Sequence, residues 1–128
     1  MANDGRRPDR VAEAIREEVA RFIAEGVKDP RVTGLVTVTG VDVTRDLRHA
    51  RIFVSIMGSD AEKAATLEGL RSLAGHLRSR VGRSLRLRAA PELDVVLDLS
   101  VARAARIETL LAQLKDGALA VPDASDLD

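Results

Sequence analysis

Two neighbouring segments with alternating apolar side chains limit the fold of this chain most strongly. Leu35 to Val43 reads LVTVTGVDV and Ala50 to Met57 reads ARIFVSIM, and both are rich in the β-branched residues typical of strands. In the first segment the apolar phase changes at Thr39-Gly40, which predicts a β-bulge. The connection over residues 44–49 is too short for a crossover helix, so the two strands are predicted to form an antiparallel hairpin.

Helices are predicted on both sides of this hairpin. From Asp9 to Glu25 apolar residues recur at helical spacing, with Pro8 suited to the first turn and Gly26 to a C-terminal stop. Ser59 and Glu62 have the spacing of a capping box, which predicts the start of a long second helix. This helix is predicted to continue to about Arg88, where Pro91 prevents further extension.

Beyond Pro91 the pattern returns to a period of two. Leu93 to Leu99 alternates apolar and mostly polar residues and is predicted to be a third strand. Ser100 is then predicted to cap a last helix that runs from Val101 to about Leu114. An α+β domain with a three-stranded sheet and helices on one of its faces would bury all of these apolar stripes.

Charge is unevenly distributed along the chain. The total net charge is zero, but the last fourteen residues carry one lysine and four aspartates, while the middle of the chain is basic. The length suits a single domain and no linker divides the chain, so we expect one folded domain over residues 8–114, with a disordered start over residues 1–7 and a flexible acidic tail over residues 115–128.

The stretch from Arg71 to Arg88 combines an apolar stripe with dense positive charge. It contains no acidic residue and has six arginines, namely Arg71, Arg78, Arg80, Arg83, Arg86 and Arg88. On a helical projection Gly75 and Gly82 lie among arginines opposite the apolar arc. Glycine costs a helix interior roughly 1 kcal/mol relative to alanine. These glycines therefore predict either close approach of a phosphate chain or a bend, and a plain solvated helix is the alternative.

A second basic cluster lies at the hairpin connection. Arg45, Arg48 and Arg51 are close together against the single Asp46, and the sequence leaves open whether they join the helix arginines or lie far from them. Such a surface is suited to capture of a phosphate backbone. The chain contains two phenylalanines and no tyrosine or tryptophan, so we expect phosphate contacts rather than base stacking to dominate.

Other chemistry is weakly represented. The chain has no cysteine, and its two histidines, His49 and His76, lack metal-ligand spacing. Asp94 and Asp98 are interpreted as polar residues of a half-exposed strand rather than an acid–base pair. With no phosphate loop and no nucleophile elbow, we expect no enzyme, cofactor or small-molecule substrate. No apolar run reaches membrane-span length and the N-terminus lacks a signal peptide, so we expect a cytoplasmic protein.

Two long blocks of the chain resemble the ribosome-binding factor A family of bacterial small-subunit assembly factors. They are VTVTGVDVTRDLRHARIFVSIMG at 36–58 and LRSLAGHLRSRVGRSLRLRAAPEL at 70–93, and the resemblance extends from about Pro8 to Leu111. It implies a KH-like fold of the second type, in which a helix–kink–helix with an Ala-x-Gly turn replaces the G-x-x-G loop. The matching positions are Leu73, Ala74 and Gly75, so leucine stands at the family's first alanine.

The resemblance also implies a function. The family binds the immature 30S subunit and its 16S rRNA without catalysis, aids late maturation and processing of the rRNA 5′ end, and is associated with cold adaptation. We expect a monomer. The residues expected to contact RNA are Arg45, Arg48, Arg51, Arg71, Gly75, Arg78, Arg80, Arg83, Arg86 and Arg88. The alternative is a protein-interaction module without direct RNA contact, whose affinity would barely depend on salt.

Overall fold

The sheet is built from the predicted hairpin and one later strand. The computed structural model describes residues 7–115, apart from the side chains at 101–103 and 105. The elements in chain order are α1 (Pro8–Ala24), β1 (Leu35–Val43), β2 (His49–Met57), α2 (Asp60–Ser72), α3 (Ala74–Leu85), β3 (Glu92–Leu97) and α4 (Leu99–Lys115). The predictions for residues 1–6 and 116–128 lie outside the described residues.

Strand pairing follows the order β1-β2-β3, with β1 antiparallel and β3 parallel to the central β2. The predicted bulge is confirmed, because the register shifts between Val38 and Gly40 and leaves Thr39 as the additional residue. The parallel pair β2–β3 is connected through α2 and α3, as a parallel connection requires. The sheet is therefore mixed, and with its helices it makes an α+β fold.

The core lies between one face of this sheet and the first three helices. In β2 the side chains of Ala50, Ile52, Val54 and Ile56 alternate with more exposed residues and are at most 5% exposed. Buried residues from α1, α2 and α3 pack in the same cluster, namely Val11, Ile15, Val19, Leu70, Leu77 and Val81. Each fully buried Val, Leu or Ile contributes about 1.5–3 kcal/mol, so this cluster fixes the three helices on the sheet.

The long second helix is two helices. α2 begins with the predicted capping box: Ser59 N–H donates to Glu62 Oε1 at 3.0 Å, and Glu62 N–H donates to Ser59 Oγ at 3.1 Å. Leu73 separates α2 from α3 with φ −95° and ψ 4°. The break therefore falls at the first of the three positions that the family resemblance assigns to the kink.

The third strand is shorter than predicted. β3 ends at Leu97, and Leu99 is 62% exposed in the first turn of α4 rather than on the apolar face of a strand. Asp98 Oδ1 accepts the N–H of Ser100 at 3.0 Å, so the helix cap is Asp98 and the prediction of Ser100 was wrong. The chain divides at this point into two compact units, one ending at Leu97 and one beginning at Asp98. Within residues 7–115 no helix has the length and apolarity needed to span a bilayer.

Candidate nucleic-acid interface

The arginine-rich stretch is divided by the end of α3. The helix ends at Leu85 rather than near Arg88, because Arg86 takes a left-handed backbone with φ 53° and ψ 43°. Leu87 N–H donates to the Gly82 carbonyl at 3.1 Å, and Arg86 N–H donates to the Arg83 carbonyl at 3.3 Å. These two bonds form a Schellman motif, with arginine where glycine is usual. Arg86 and Arg88 consequently lie on the connection to β3.

Three arginines at this end of the stretch are available to a ligand. Arg83, Arg86 and Arg88 are exposed, and their side chains make no hydrogen bond or ion pair with any residue that the structure describes. Each guanidinium therefore keeps its five N–H donors for another partner. Because no acidic residue lies between positions 71 and 88, no neighbour in this stretch offsets their charge.

Arg71 and Arg78 are partly occupied by the protein itself. Arg71 Nε donates to the Val95 carbonyl at 2.9 Å, which joins the end of α2 to β3. Arg78 donates through Nε and Nη2 to the Ala90 carbonyl at 3.1 and 3.0 Å. Both side chains are exposed and keep further N–H donors, so each can still reach a phosphate.

Arg80 was expected to contact RNA, but in the structure its guanidinium is bound by two glutamates of the protein itself. Its side chain is 20% exposed, and it donates to Glu18 Oε1 at 2.7 Å and to both Glu25 carboxylate oxygens at 2.8 and 2.7 Å. Its guanidinium also lies 5.5 Å from the centroid of the Phe22 ring. These hydrogen bonds hold the pKa of Glu18 and of Glu25 below the ordinary glutamate value and raise the pKa of Arg80. Arg80 therefore joins α3 to α1.

One of the two arginines on the hairpin connection lies beside α3. Arg48 and Arg78 are both in the wall of a groove of about 550 Å³. The Arg48 carbonyl accepts the Glu92 N–H at 2.8 Å, which ties the connection to the start of β3. Leu47 anchors the connection, because its side chain is 4% exposed although its backbone has φ 60°. Arg48 therefore joins the helix arginines.

Arg45 and Arg51 lie elsewhere on the hairpin. Arg45 is exposed on the same connection, outside the residues that line this groove. Arg51 lies on the face of the sheet opposite the helices, since its neighbours in β2 point into the core. Its register partners on either side are Asp42 and Asp94. The structure therefore separates Arg51 from the helix arginines, as the alternation of β2 could have shown.

The two glycines on the basic side of α3 serve different purposes. Gly75 is exposed, its φ is not positive, and a Cβ built on it meets nothing within 4 Å. Its backbone does not need the freedom of glycine, and the surface above it is open. A Cβ on Gly82 would lie 3.2 Å from the Ala90 Cβ, so the close approach there is made by the protein itself. Of the two, only Gly75 offers its backbone to a ligand.

The break at Leu73 is supported by residues that sequence reasoning missed. Ser72 Oγ donates to the Gly69 carbonyl at 2.7 Å and accepts from Arg31 Nη2 at 2.8 Å. Arg31 in turn binds Asp29 at 2.7 Å, and its guanidinium holds the pKa of that carboxyl far below its usual range. A Cβ on Gly69 would lie 2.8 Å from Val32 Cγ2, so the end of α2 packs tightly on this loop. The sequence predicts a turn here but gives no signal that it meets α2.

The histidines do not converge with acids on a metal-like site. His49 Nδ1 lies 3.7 Å from Glu92 Oε2, and His76 packs on Phe22 with ring centroids 5.6 Å apart. In the part of the chain that the structure describes, no group of three or more His, Asp or Glu side chains could hold a metal ion. The chemistry offered by this surface is electrostatic attraction and hydrogen bonding from guanidinium groups.

Comparison with known proteins gives one family. The family model for ribosome-binding factor A matches residues 7–111. A ribosome-binding factor A of Gemmatimonas aurantiaca is 67% identical over 111 residues, which cover 87% of this chain and 76% of that protein.

Structures of the Thermus thermophilus protein agree on the fold. The crystal structure of its ribosome-binding factor A has a TM-score of 0.59 and 22% identity, covering 70% of this chain and 94% of that one. A homology model of the Thermus factor fitted into the cryo-EM map of a 30S complex has a TM-score of 0.52 and 22% identity, covering 70% and 89%. The structures agree on the fold alone; the family model and the Gemmatimonas relative show that the chain belongs to the ribosome-binding factor A family.

Proposed function

We propose that this protein is a non-catalytic assembly factor that binds the free or immature 30S subunit through phosphates of its 16S rRNA. The observation that supports this most directly is the exposed group of Arg83, Arg86 and Arg88, which have no partner within residues 7–115. The chain continues from Arg88 into the wall of the groove that contains Arg48 and Arg78. We call these five arginines the basic surface.

The basic surface is suited to a polyanion rather than to a single small anion. Its arginines come from the hairpin connection, from α3 and from the α3–β3 connection, so they are spread over three elements. Each guanidinium that neutralises a phosphate releases condensed counterions, and this term supplies affinity without reading a base sequence. A structured RNA is then recognised by the arrangement of its phosphates and by its shape.

The proposed partner is supported by the family. The Thermus factor that shares this fold has been fitted into its complex with the 30S subunit. We extend the proposal to the roles that the family resemblance implies: late maturation of the 30S subunit, processing of the 16S rRNA 5′ end and growth in the cold. In this proposal the protein acts in the cytoplasm as a monomer.

Co-sedimentation with purified small subunits tests the proposal. The variant Arg83→Glu/Arg88→Glu should fold normally, since neither side chain has a partner within the described residues, and it should no longer sediment with 30S subunits. The matched control is Arg10→Glu/Lys63→Glu, which makes the same change in net charge on α1 and α2 and should sediment like the wild type. A folded Arg83→Glu/Arg88→Glu protein that binds normally would contradict the proposed surface.

A cellular measurement tests the maturation step separately. In cells that depend on this protein, the Arg83→Glu/Arg88→Glu variant should cause 16S rRNA with an unprocessed 5′ end to accumulate, and the control variant should not. Normal 5′ ends in cells whose variant fails to bind 30S subunits would separate subunit binding from processing.

A further inference from the structure

A cavity beside the helix break has the lining of a nucleobase site. It measures about 690 Å³ and is formed by the end of α1, the loop after it, and the start of α3. Its walls include Phe22, Lys28, Leu73, His76 and Arg80. We propose that this cavity receives one unpaired base of a single-stranded RNA segment, stacked on the imidazole of His76. The inference rests on the proposed function and adds a base contact to its phosphate contacts.

The stacking surface is held in place before any ligand arrives. His76 is exposed, and its ring packs on the half-buried Phe22 with centroids 5.6 Å apart and planes tilted by 50°. Phe22 in turn lies 5.5 Å from the Arg80 guanidinium, which Glu18 and Glu25 hold with hydrogen bonds of 2.7–2.8 Å. A stacking ring that is already fixed loses little conformational freedom on binding, which favours affinity.

The charges in the cavity suit a base with its phosphate. Arg80 is paired with Glu25, and Asp29 is paired with Arg31, so these charges largely compensate each other. Lys28 is exposed and makes no ion pair with any residue from 7 to 115, so it is free to bind a phosphate oxygen. Carboxylate oxygens at the cavity wall can accept hydrogen bonds from exocyclic amino groups. The volume lies within the usual range for small-ligand pockets.

The cavity adjoins the open part of α3. Gly75 directly precedes His76, and nothing lies within 4 Å of the position where its Cβ would be. An RNA strand whose backbone passes over Gly75 can therefore place a base at His76. A phosphate-only site would need no ring there, whereas the structure sets two rings and a guanidinium against one another.

Two RNA probes of equal charge test the inference. One is a hexamer of adenosine, and the other is a hexamer of abasic ribose phosphate, both labelled for fluorescence anisotropy at low salt. The wild-type protein should bind the adenosine hexamer at least about fivefold more tightly, as expected for one stacked base. His76→Ala should remove this preference while leaving the affinity for the abasic hexamer unchanged. His76→Phe restores a ring and should keep the preference.

The outcomes separate this inference from the proposed function. Equal binding of both hexamers by the wild type, or an unchanged preference in a folded His76→Ala protein, would overturn the base site. The base site also fails if the wild type binds neither hexamer. If the wild type shows no preference between the hexamers but His76→Ala weakens 30S binding, the cavity would instead receive a side chain of a ribosomal protein. Sedimentation of the wild type with 30S subunits reports on the proposed function alone.

Discussion

Replacing Gly75 by alanine separates folding from binding at the start of α3. The site is open and its φ is not positive, so the new methyl group meets no atom within 4 Å and causes no backbone strain. Alanine is favoured over glycine by roughly 1 kcal/mol in a helix interior. Gly75 is the second residue of α3, so we expect about half of this, a gain of about 0.5 kcal/mol in the free energy of unfolding. Urea unfolding of both proteins measures it.

A glycine in the preceding helix provides the matched control. A Cβ on Gly69 would lie 2.8 Å from Val32 Cγ2 and 3.3 Å from Arg31 Cβ, so the loop before β1 would have to move. Overpacking of this kind costs about 1–3 kcal/mol. Gly69→Ala should therefore lower the free energy of unfolding although the chemical change is the same as in Gly75→Ala.

Binding should respond in the opposite direction to stability at Gly75. An RNA phosphate that contacts the backbone at Gly75 would be held away by the new methyl group. The loss of one hydrogen bond, roughly 1 kcal/mol, should lower the affinity for 30S subunits about fivefold. A destabilised Gly75→Ala protein would refute the argument that this backbone is ordinary. A stabilised protein with unchanged 30S affinity would remove Gly75 from the interface.

Two further substitutions, the first with a matched control, test structural features that the sequence did not reveal. Arg86→Gly should raise the free energy of unfolding by about 1 kcal/mol, because glycine adopts the left-handed backbone at φ 53° without strain. Arg88→Gly removes the same charge and should not raise stability, so urea unfolding of the two variants isolates the backbone effect. Glu18→Gln should lower stability near neutral pH by about 1–3 kcal/mol, since it weakens charged hydrogen bonds to Arg80. The pKa of Glu18 is lowered in the folded protein, so the stability that its carboxylate contributes is present above the ordinary value of 4.5 and is lost as the pH falls below that value. The free energies of unfolding of the two proteins should therefore converge as the pH is lowered below 4.5. A difference in stability that does not depend on pH would contradict this.

Local signals in the sequence predicted most of the fold. The phase change at Thr39-Gly40, the capping box of Ser59 and Glu62, and the apolar alternation of β2 each depend on residues close together in the chain. The end of α3 was predicted too late, because the helix stops with an arginine in the left-handed conformation and no glycine marks the position. Asp98 and Ser100 are both good helix caps, so the sequence pattern alone did not distinguish them.

The interface was less predictable, because its contacts are distant in sequence. Arg80 and Glu18 are 62 positions apart, and a helical projection shows which way a side chain points but not what packs there. For the same reason the sequence could not place Arg48 beside Arg78, or the loop at Arg31 beside Ser72. The sequence alone would suggest charge reversal of Arg78, Arg80 and Arg83 together as a test of binding. This triple change would disturb the fold, because reversing Arg80 places a new negative charge next to the buried Glu18.

The central claim is that the basic surface binds the small subunit through RNA phosphates, and the salt dependence of that binding tests it most directly. Each phosphate neutralised contributes a slope of roughly −0.7 to −0.9 in log K against log salt concentration. If most of the five arginines are engaged, titration of the protein with purified 30S subunits should give a slope of about −3 to −4. A slope near zero with tight binding would contradict the account and assign the contact to a protein–protein interface.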